Sequence, residues 1–280
     1  MKKQNAAWNG VLFAVLLILS IVFLIPIAVV VINSFKSKLT IMSSPFSLPT
    51  ESTFVGLENY IKGIGSSDFF GSVGRSLFIT VTSVALIVIG SSMTAWYLTR
   101  IRTWWTKLLY LLFVFSMIVP FQMVMYSMVF TADRLSLDTP WGIPLLYLGF
   151  GSGLSVFMFS GFVKSVPLEV EEAATIDGCR PLTLFWRIVF PMLRPIAVTV
   201  AILNAMWIWN DYLLPYLVLG TDQYKTLPVT IQIAMQGAYG SVDWGGFMAM
   251  LVLAIVPIVV FYLVCQKYIL SGVIAGAVKG

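Results

Sequence analysis

The chain alternates long apolar runs with shorter polar stretches. Six of the runs are long enough, at about 20 residues each, to cross a hydrocarbon core of about 30 Å. They cover residues 11–32, 77–98, 108–130, 143–163, 196–219 and 246–265. Asp211, in the fifth run, is the one Asp, Glu, Lys or Arg that any of them contains. Inside lipid each backbone N–H and C=O must be satisfied without water, so continuous apolar runs of this length predict helices. Pro26, Pro120 and Pro257 predict kinks in the first, third and sixth. Gly149, Gly151, Gly153 and Gly161 in the fourth, with Gly90, Ser91 and Ser92 in the second, predict close helix approach.

Composition points the same way. Hydrophobic residues make up 59% and charged residues 10% of the 280 positions, where a soluble domain carries about 25% charge. The expected fold class is an all-α membrane protein with six transmembrane helices in a single domain, 1–280. The first run follows Lys2 and Lys3 as a secretory signal would. It is longer than a signal core of about 7–15 residues and no small-x-small cleavage site follows it, so an uncleaved span is expected.

Lys and Arg placement sets the expected orientation. With the N-terminus inside, Lys2, Lys3, Arg100, Arg102, Lys107, Lys164, Arg180, Arg187, Arg194, Lys267 and Lys279 are cytoplasmic. Lys36, Lys38, Lys62, Arg75, Arg134 and Lys225 lie outside, and both termini are cytoplasmic. The net charge of +5 is spread over these loops and marks no nucleic-acid surface. The chain has no histidine, and its two cysteines, Cys179 and Cys265, lie in separate segments. His-dependent triads and His-ligated zinc are thereby excluded, and no disulfide framework, metal site or catalytic residue is expected.

Two loops are long. The outer one, 33–76, contains Val55-Gly56-Leu57-Glu58-Asn59-Tyr60, which predicts a short helix. The inner one, 164–195, carries ordered helix signals: Pro167 suits a first turn, and Glu169, Glu171 and Glu172 favour the positive end of the helix dipole. Val170, Ala173 and Ala174 are expected on one face. Gly178 falls where the chain would leave the helix in a left-handed conformation. Pro181 restarts a helix with Leu184/Ile188 and Phe185/Val189 as i,i+4 pairs, and Pro191 and Pro195 end it. A hairpin lying on the membrane surface would explain Phe185, Trp186 and Ile188. The small, partly acidic Ala173-Ala174 surface suits docking into a protein groove instead.

Glu172-Ala173-Ala174-Thr175-Ile176-Asp177-Gly178, followed after nine residues by Ile188-Val189-Phe190-Pro191, resembles the EAA loop of ABC importer permeases, E-A-A-x-x-D-G-A and then I-x-L-P. Cys179 stands where alanine is usual and Phe190 where leucine is usual. Trp209-Asn210-Asp211-Tyr212-Leu213-Leu214-Pro215 resembles the W-N-[DE]-[FY]-L-x-P run of sugar permeases. The ending from Gly272 to Gly280 is similar to the G-x-x-x-G-A-V-K-G tail of the second, maltose-type subunit. The resemblance implies a type I ABC importer permease fold and a carbohydrate substrate, most simply an oligosaccharide. It implies a bacterial or archaeal plasma (inner) membrane location. It also implies as partners a second permease subunit, two ABC ATPase subunits and an extracytoplasmic solute-binding protein.

By that resemblance, Glu172, Ala173, Ala174, Asp177, Gly178 and Cys179 would couple to the ATPase. Gly276, Ala277, Val278, Lys279 and Gly280 would enter the interface between the ATPase subunits. No Gly-Lys dipeptide occurs, hence no P-loop. This chain is therefore expected to be no enzyme and to hold no cofactor, with ATP and Mg on the partner ATPases.

Gln122, Asn204, Asn210 and Asp211 are polar residues within spans and candidates for the solute path. For Gln122 and Asn204 the simpler reading is interhelical glue, worth about 0.6 kcal/mol. Pro215 interrupts the helix near Asn210 and Asp211, which favours a path or gate there. Trp207, Trp209 and Tyr212 would offer ring faces to a sugar or anchor the span at the interface. The competing readings are a permease of the same machinery for a polyamine or phosphate and an ion-coupled secondary transporter. The latter usually needs midplane acids and repeat symmetry.

Overall fold

A computed structural model describes residues 2–236 and 242–277, with side chains over 8–235 and 242–266. The described residues are helical throughout apart from turns and one isolated β-bridge, Lys36 to Phe54. Four helices contain stretches long and apolar enough to cross a membrane: Trp8–Ser34, Phe69–Arg100, Ile143–Val163 and Trp244–Gln266. The number rises to six if each of two bent helix pairs counts as one span.

The chain divides into two compact units, Met1–Phe70 with Thr230–Pro257 and Gly71–Val229 with Ile258–Gly280. The first unit begins with α1 (Lys2–Ser34), which runs unbroken through Pro26. Next come α2 (Lys38–Ser43) and α3 (Glu58–Gly65), the latter where the sequence predicts a short helix. Buried polar groups tie α3 and the loop before it to the chain at the end of α1. Asn59 donates through Nδ2 to the carbonyls of Ser34 and Lys36 at 2.8 and 2.9 Å. Lys36 is fully buried, and its Nζ donates to the carbonyls of Ser44 and Ser47 at 2.7 and 3.0 Å. Losing water in this way pushes the Lys36 ammonium below the ordinary lysine value, because burial disfavours the charged form.

Helix α4 (Phe69–Arg100) leads into the second unit, followed by α5 (Trp104–Ser116), α6 (Phe121–Arg134) and α7 (Ile143–Val163). The capping box of Thr103 and Thr106 starts α5, each side chain bonding the other's backbone N–H. The third apolar run is not the kinked helix expected of Pro120. It breaks between α5 and α6 with a bend of 106°. Pro120 is the N-cap of α6 in extended backbone, and the residue before a proline resists helical geometry as well. The fourth run forms α7 within the expected bounds.

Helix α7 packs against α5 and against α11 (Arg194–Asn210). A Cβ on Gly151 would stand 2.6 Å from Ile87 Cδ1 and 2.8 Å from Asn204 Oδ1, and one on Gly153 2.8 Å from the Phe113 carbonyl. These two glycines let the helices approach, as expected. Gly149 and Gly161 have nothing within 4 Å of a Cβ and take no part in this packing. Ahead of α11 lie α8 (Leu168–Ile176), α9 (Pro181–Leu184), a π-helical turn (Phe185–Val189) and α10 (Phe190–Met192). After it come α12 (Leu213–Leu219), α13 (Leu227–Gln236) and α14 (Trp244–Ala277), the last continuous through Pro257.

Candidate functional site

The 164–195 loop folds as a helical hairpin. Pro167 is the N-cap of α8, and Glu169 and Glu171 occupy the first turn. At the far end Gly178 has φ +81°. Its N–H donates to the Thr175 carbonyl and that of Cys179 to the Ala174 carbonyl, both at 3.0 Å. This bond pair is a Schellman cap, and its left-handed residue is the glycine that the sequence marked. Pro181 opens α9 with Arg180 as its N-cap. Phe185 and Val189 are fully buried, but the turn joining them is a π-turn rather than an α-turn. Pro191 lies inside α10 and Pro195 in the first turn of α11, so the chain bends by 79° between the hairpin and α11.

Helix α8 presents two different faces. Glu171 and Ala174, one turn apart, are 5% and 7% exposed. Glu172, Ala173 and Asp177 are exposed, and Ile176 is 86% exposed. The expectation that Ala173 and Ala174 share a docking face is therefore not met. Ala174 joins the hydrophobic core, and successive helical residues point about 100° apart, so a narrow buried stripe takes only one of the two. Val170, also expected on that face, is 40% exposed. Cys179 is half-buried with a free thiol.

What holds α8 is a cluster that the sequence reading passed over. Glu171 Oε1 accepts from Arg100 Nε at 3.0 Å and Nη2 at 2.7 Å, and its Oε2 accepts from Trp96 Nε1 at 2.9 Å. Arg100 Nη2 also donates to the Val166 carbonyl at 2.9 Å. Trp96 and Arg100 form the last turn of α4, and the Trp96 ring lies 5.6 Å from that of Phe185. No local signal marks this pairing, because the partners are 71 residues apart.

Asn204, Asn210 and Asp211 each bond to different partners. Asn204 is buried and donates to Ser155 Oγ at 3.1 Å and to the Val200 carbonyl at 2.8 Å, tying α11 to α7 as glue. Asp211 sits where the fifth run breaks between α11 and α12. Its Oδ1 accepts the N–H of Leu213 and its Oδ2 the hydroxyl of Tyr147, each at 3.0 Å. Tyr147 is fully buried, and Trp207 stands edge-on to it at 5.5 Å. Asp211 thus takes up the first N–H of α12, whose N-cap residue is Tyr212, and anchors the break to α7. Asn210 is exposed, with Nδ2 turned back to the Met206 carbonyl at 2.7 Å, and Gln122 is exposed at the start of α6. Tyr212 and Tyr216 stack at 5.1 Å. Gly276 and Ala277 end the described part of α14, their side chains undescribed, and Val278, Lys279 and Gly280 lie outside the described residues. Among the described residues no cluster of His, Cys, Asp or Glu could share a metal ion.

Residues 86–274, which include the hairpin and all four polar positions, match the family model of the binding-protein-dependent transport system inner membrane component. The chain belongs to this family. As a member, the permease is similar along nearly its whole length to curated relatives. One is the probable starch degradation products transport system permease protein AmyC of Thermoanaerobacterium thermosulfurigenes, 38% identical with 94% of each chain covered. Another is the multiple sugar-binding transport system permease protein MsmG of Streptococcus mutans, 36% identical with 99% of each covered. Its fold matches a chain of a bacterial ABC transporter involved in the import of the acidic polysaccharide alginate, with a TM-score of 0.78 at 22% identity. That match covers 92% of the permease and 95% of the other chain. Permeases of this family are transport components, not enzymes.

Proposed function

We propose that this permease is a membrane-spanning subunit of an ATP-driven importer for an oligosaccharide. The observation that carries the coupling role is the split of α8: Glu172, Ala173 and Ile176 stand free while Glu171 and Ala174 are held within the permease. A free apolar residue beside a small one and an acid suits a protein groove better than a lipid surface, where basic residues would be expected. The sugar class rests on the relatives, whose names carry starch degradation products and multiple sugars.

In this reading six spans place both termini and the hairpin on the cytoplasmic side, as the Lys and Arg bias requires. A second permease of similar fold, two ATPase subunits holding ATP and Mg, and an extracytoplasmic binding protein complete the machine. Glu172 pairs with a basic residue of the ATPase, and Gly178 keeps the turn. Closure of the ATPase dimer displaces α8 and tilts the spans attached to it. The tail residues from Gly276 to Gly280 reach the ATPase interface. Asn210 and Gln122, exposed on the spans, are offered to the solute path, whereas Asn204 and Asp211 hold its wall.

The test is sugar-stimulated ATP hydrolysis in liposomes, with the permease purified together with its co-expressed partners. Stimulation by an oligosaccharide that is lost in Glu172→Lys is the expected result. Absence of an ATPase partner, with uptake following an ion gradient, would overturn the proposal.

A further inference from the structure

The cluster around Glu171 does more than fill space. Glu171 is 5% exposed, yet it is an acid on the same short helix as the freely exposed Glu172. Both of its oxygens are engaged, and all three donors come from the final turn of α4. Arg100 adds a bond to the Val166 carbonyl just ahead of α8. Trp96 reaches the other arm of the hairpin through its contact with Phe185. The end of one long helix therefore grips both arms of the hairpin, and the grip on α8 is directional and charge-assisted.

We propose that Arg100 and Trp96 are positioning residues that fix α8 to α4 through Glu171, so that a displacement of α8 is delivered to α4. The role given to α8 rests on the importer reading above. The attachment itself does not, because it concerns this chain alone. Apolar contact, which has no preferred direction, would let α8 slide or roll over its bed. Two donors on one carboxylate oxygen and a third on the other fix its distance and its rotation together. Removing one partner would leave a buried charge unpaired and destabilise the joint, whereas replacing both by apolar residues of similar volume is often neutral for folding. That difference separates a joint from mere packing.

The experiment compares Glu171→Gln, Trp96→Phe and the double replacement Arg100→Met with Glu171→Leu in the full chain assembled with its partners. Two quantities are read: amide hydrogen exchange across residues 168–176, and sugar transported per ATP hydrolysed. Exchange over 168–176 is expected to speed up by roughly tenfold or more in Glu171→Gln and Trp96→Phe, the equivalent of one charge-assisted hydrogen bond, and to stay near the wild-type rate in the double replacement, with the interior of α7 unchanged. The double replacement should assemble at wild-type yield and hydrolyse ATP, but transport several-fold less sugar per ATP. Unchanged exchange in Glu171→Gln, or full coupling in the double replacement, would overturn the proposal. Should the wild-type assembly show no sugar-stimulated hydrolysis, the importer reading fails, and the exchange measurement still decides whether the joint exists.

Discussion

Replacing Gly178 isolates a single physical cost. The residue has φ +81° and closes the Schellman cap of α8, and a Cβ built on it meets nothing within 4 Å. Steric conflict with neighbours therefore adds nothing, and the whole penalty lies in the backbone. An L-residue in the left-handed region costs about 1–2 kcal/mol, and a β-branched one is a stronger outlier there. One to two kcal/mol lowers the ratio of capped to uncapped hairpin by roughly 5–30-fold. Asparagine tolerates this region better than alanine despite its larger side chain. In reconstituted transport, sugar carried per ATP should fall in the order Gly, Asn, Ala, Val, with membrane yield unchanged. An order set by side-chain size, with Ala better than Asn, would refute the backbone argument. Wild-type transport by Gly178→Val would refute the role of the turn altogether.

Other positions give independent checks. Gly151→Val places atoms against Ile87 and Asn204 and should cost about 1–3 kcal/mol by overpacking. Gly149→Ala, in open space, should leave the thermal midpoint in detergent unchanged or raise it. Tyr147→Phe removes the hydroxyl bond to Asp211 and should lower stability by about 1 kcal/mol, on the scale of interhelical bonds in membranes. Lys36→Met leaves the carbonyls of Ser44 and Ser47 without this donor and should cost about 1–3 kcal/mol, read as faster proteolysis of the 37–57 loop. Because folding lowers the Lys36 pKa, the unfolded chain keeps that proton to higher pH than the folded one. Stability should rise as pH climbs from the folded pKa towards the ordinary lysine value, and the Met variant should lose that rise.

How much the sequence disclosed depends on the range of the interaction. The Gly178 cap and the start of α9 at Pro181 are local, made by residues within one turn, and both were legible. The bounds of α7 were legible because Gly142 and Lys164 flank a run with no charge. The positions of the breaks after Ser116 and Asn210 were not, although Pro215 marked an interruption near the second, since hydropathy sums side chains and is blind to where the backbone turns. Pro120 signalled disturbance but not its size. Asp211 was singled out as polar in an apolar run, yet its partner Tyr147 lies 64 residues earlier. Glu171 shows the same limit. Three acids near a helix start all read as dipole partners, and only the fold reveals that one of them is buried on α4.

Helix α1 has a consequence for how the protein is made. Its side chains from residue 8 to residue 28 are exposed, and burial within the chain begins only near Asn33 and Ser34. Helix α1, made ahead of α2 to α14, can therefore settle in lipid without waiting for any of them. The notched packing of α7 against α5 and α11, by contrast, cannot form until all three have been synthesised. Insertion of the chain and assembly of its interior are thus separable events during biosynthesis, and a defect in the second need not disturb the first.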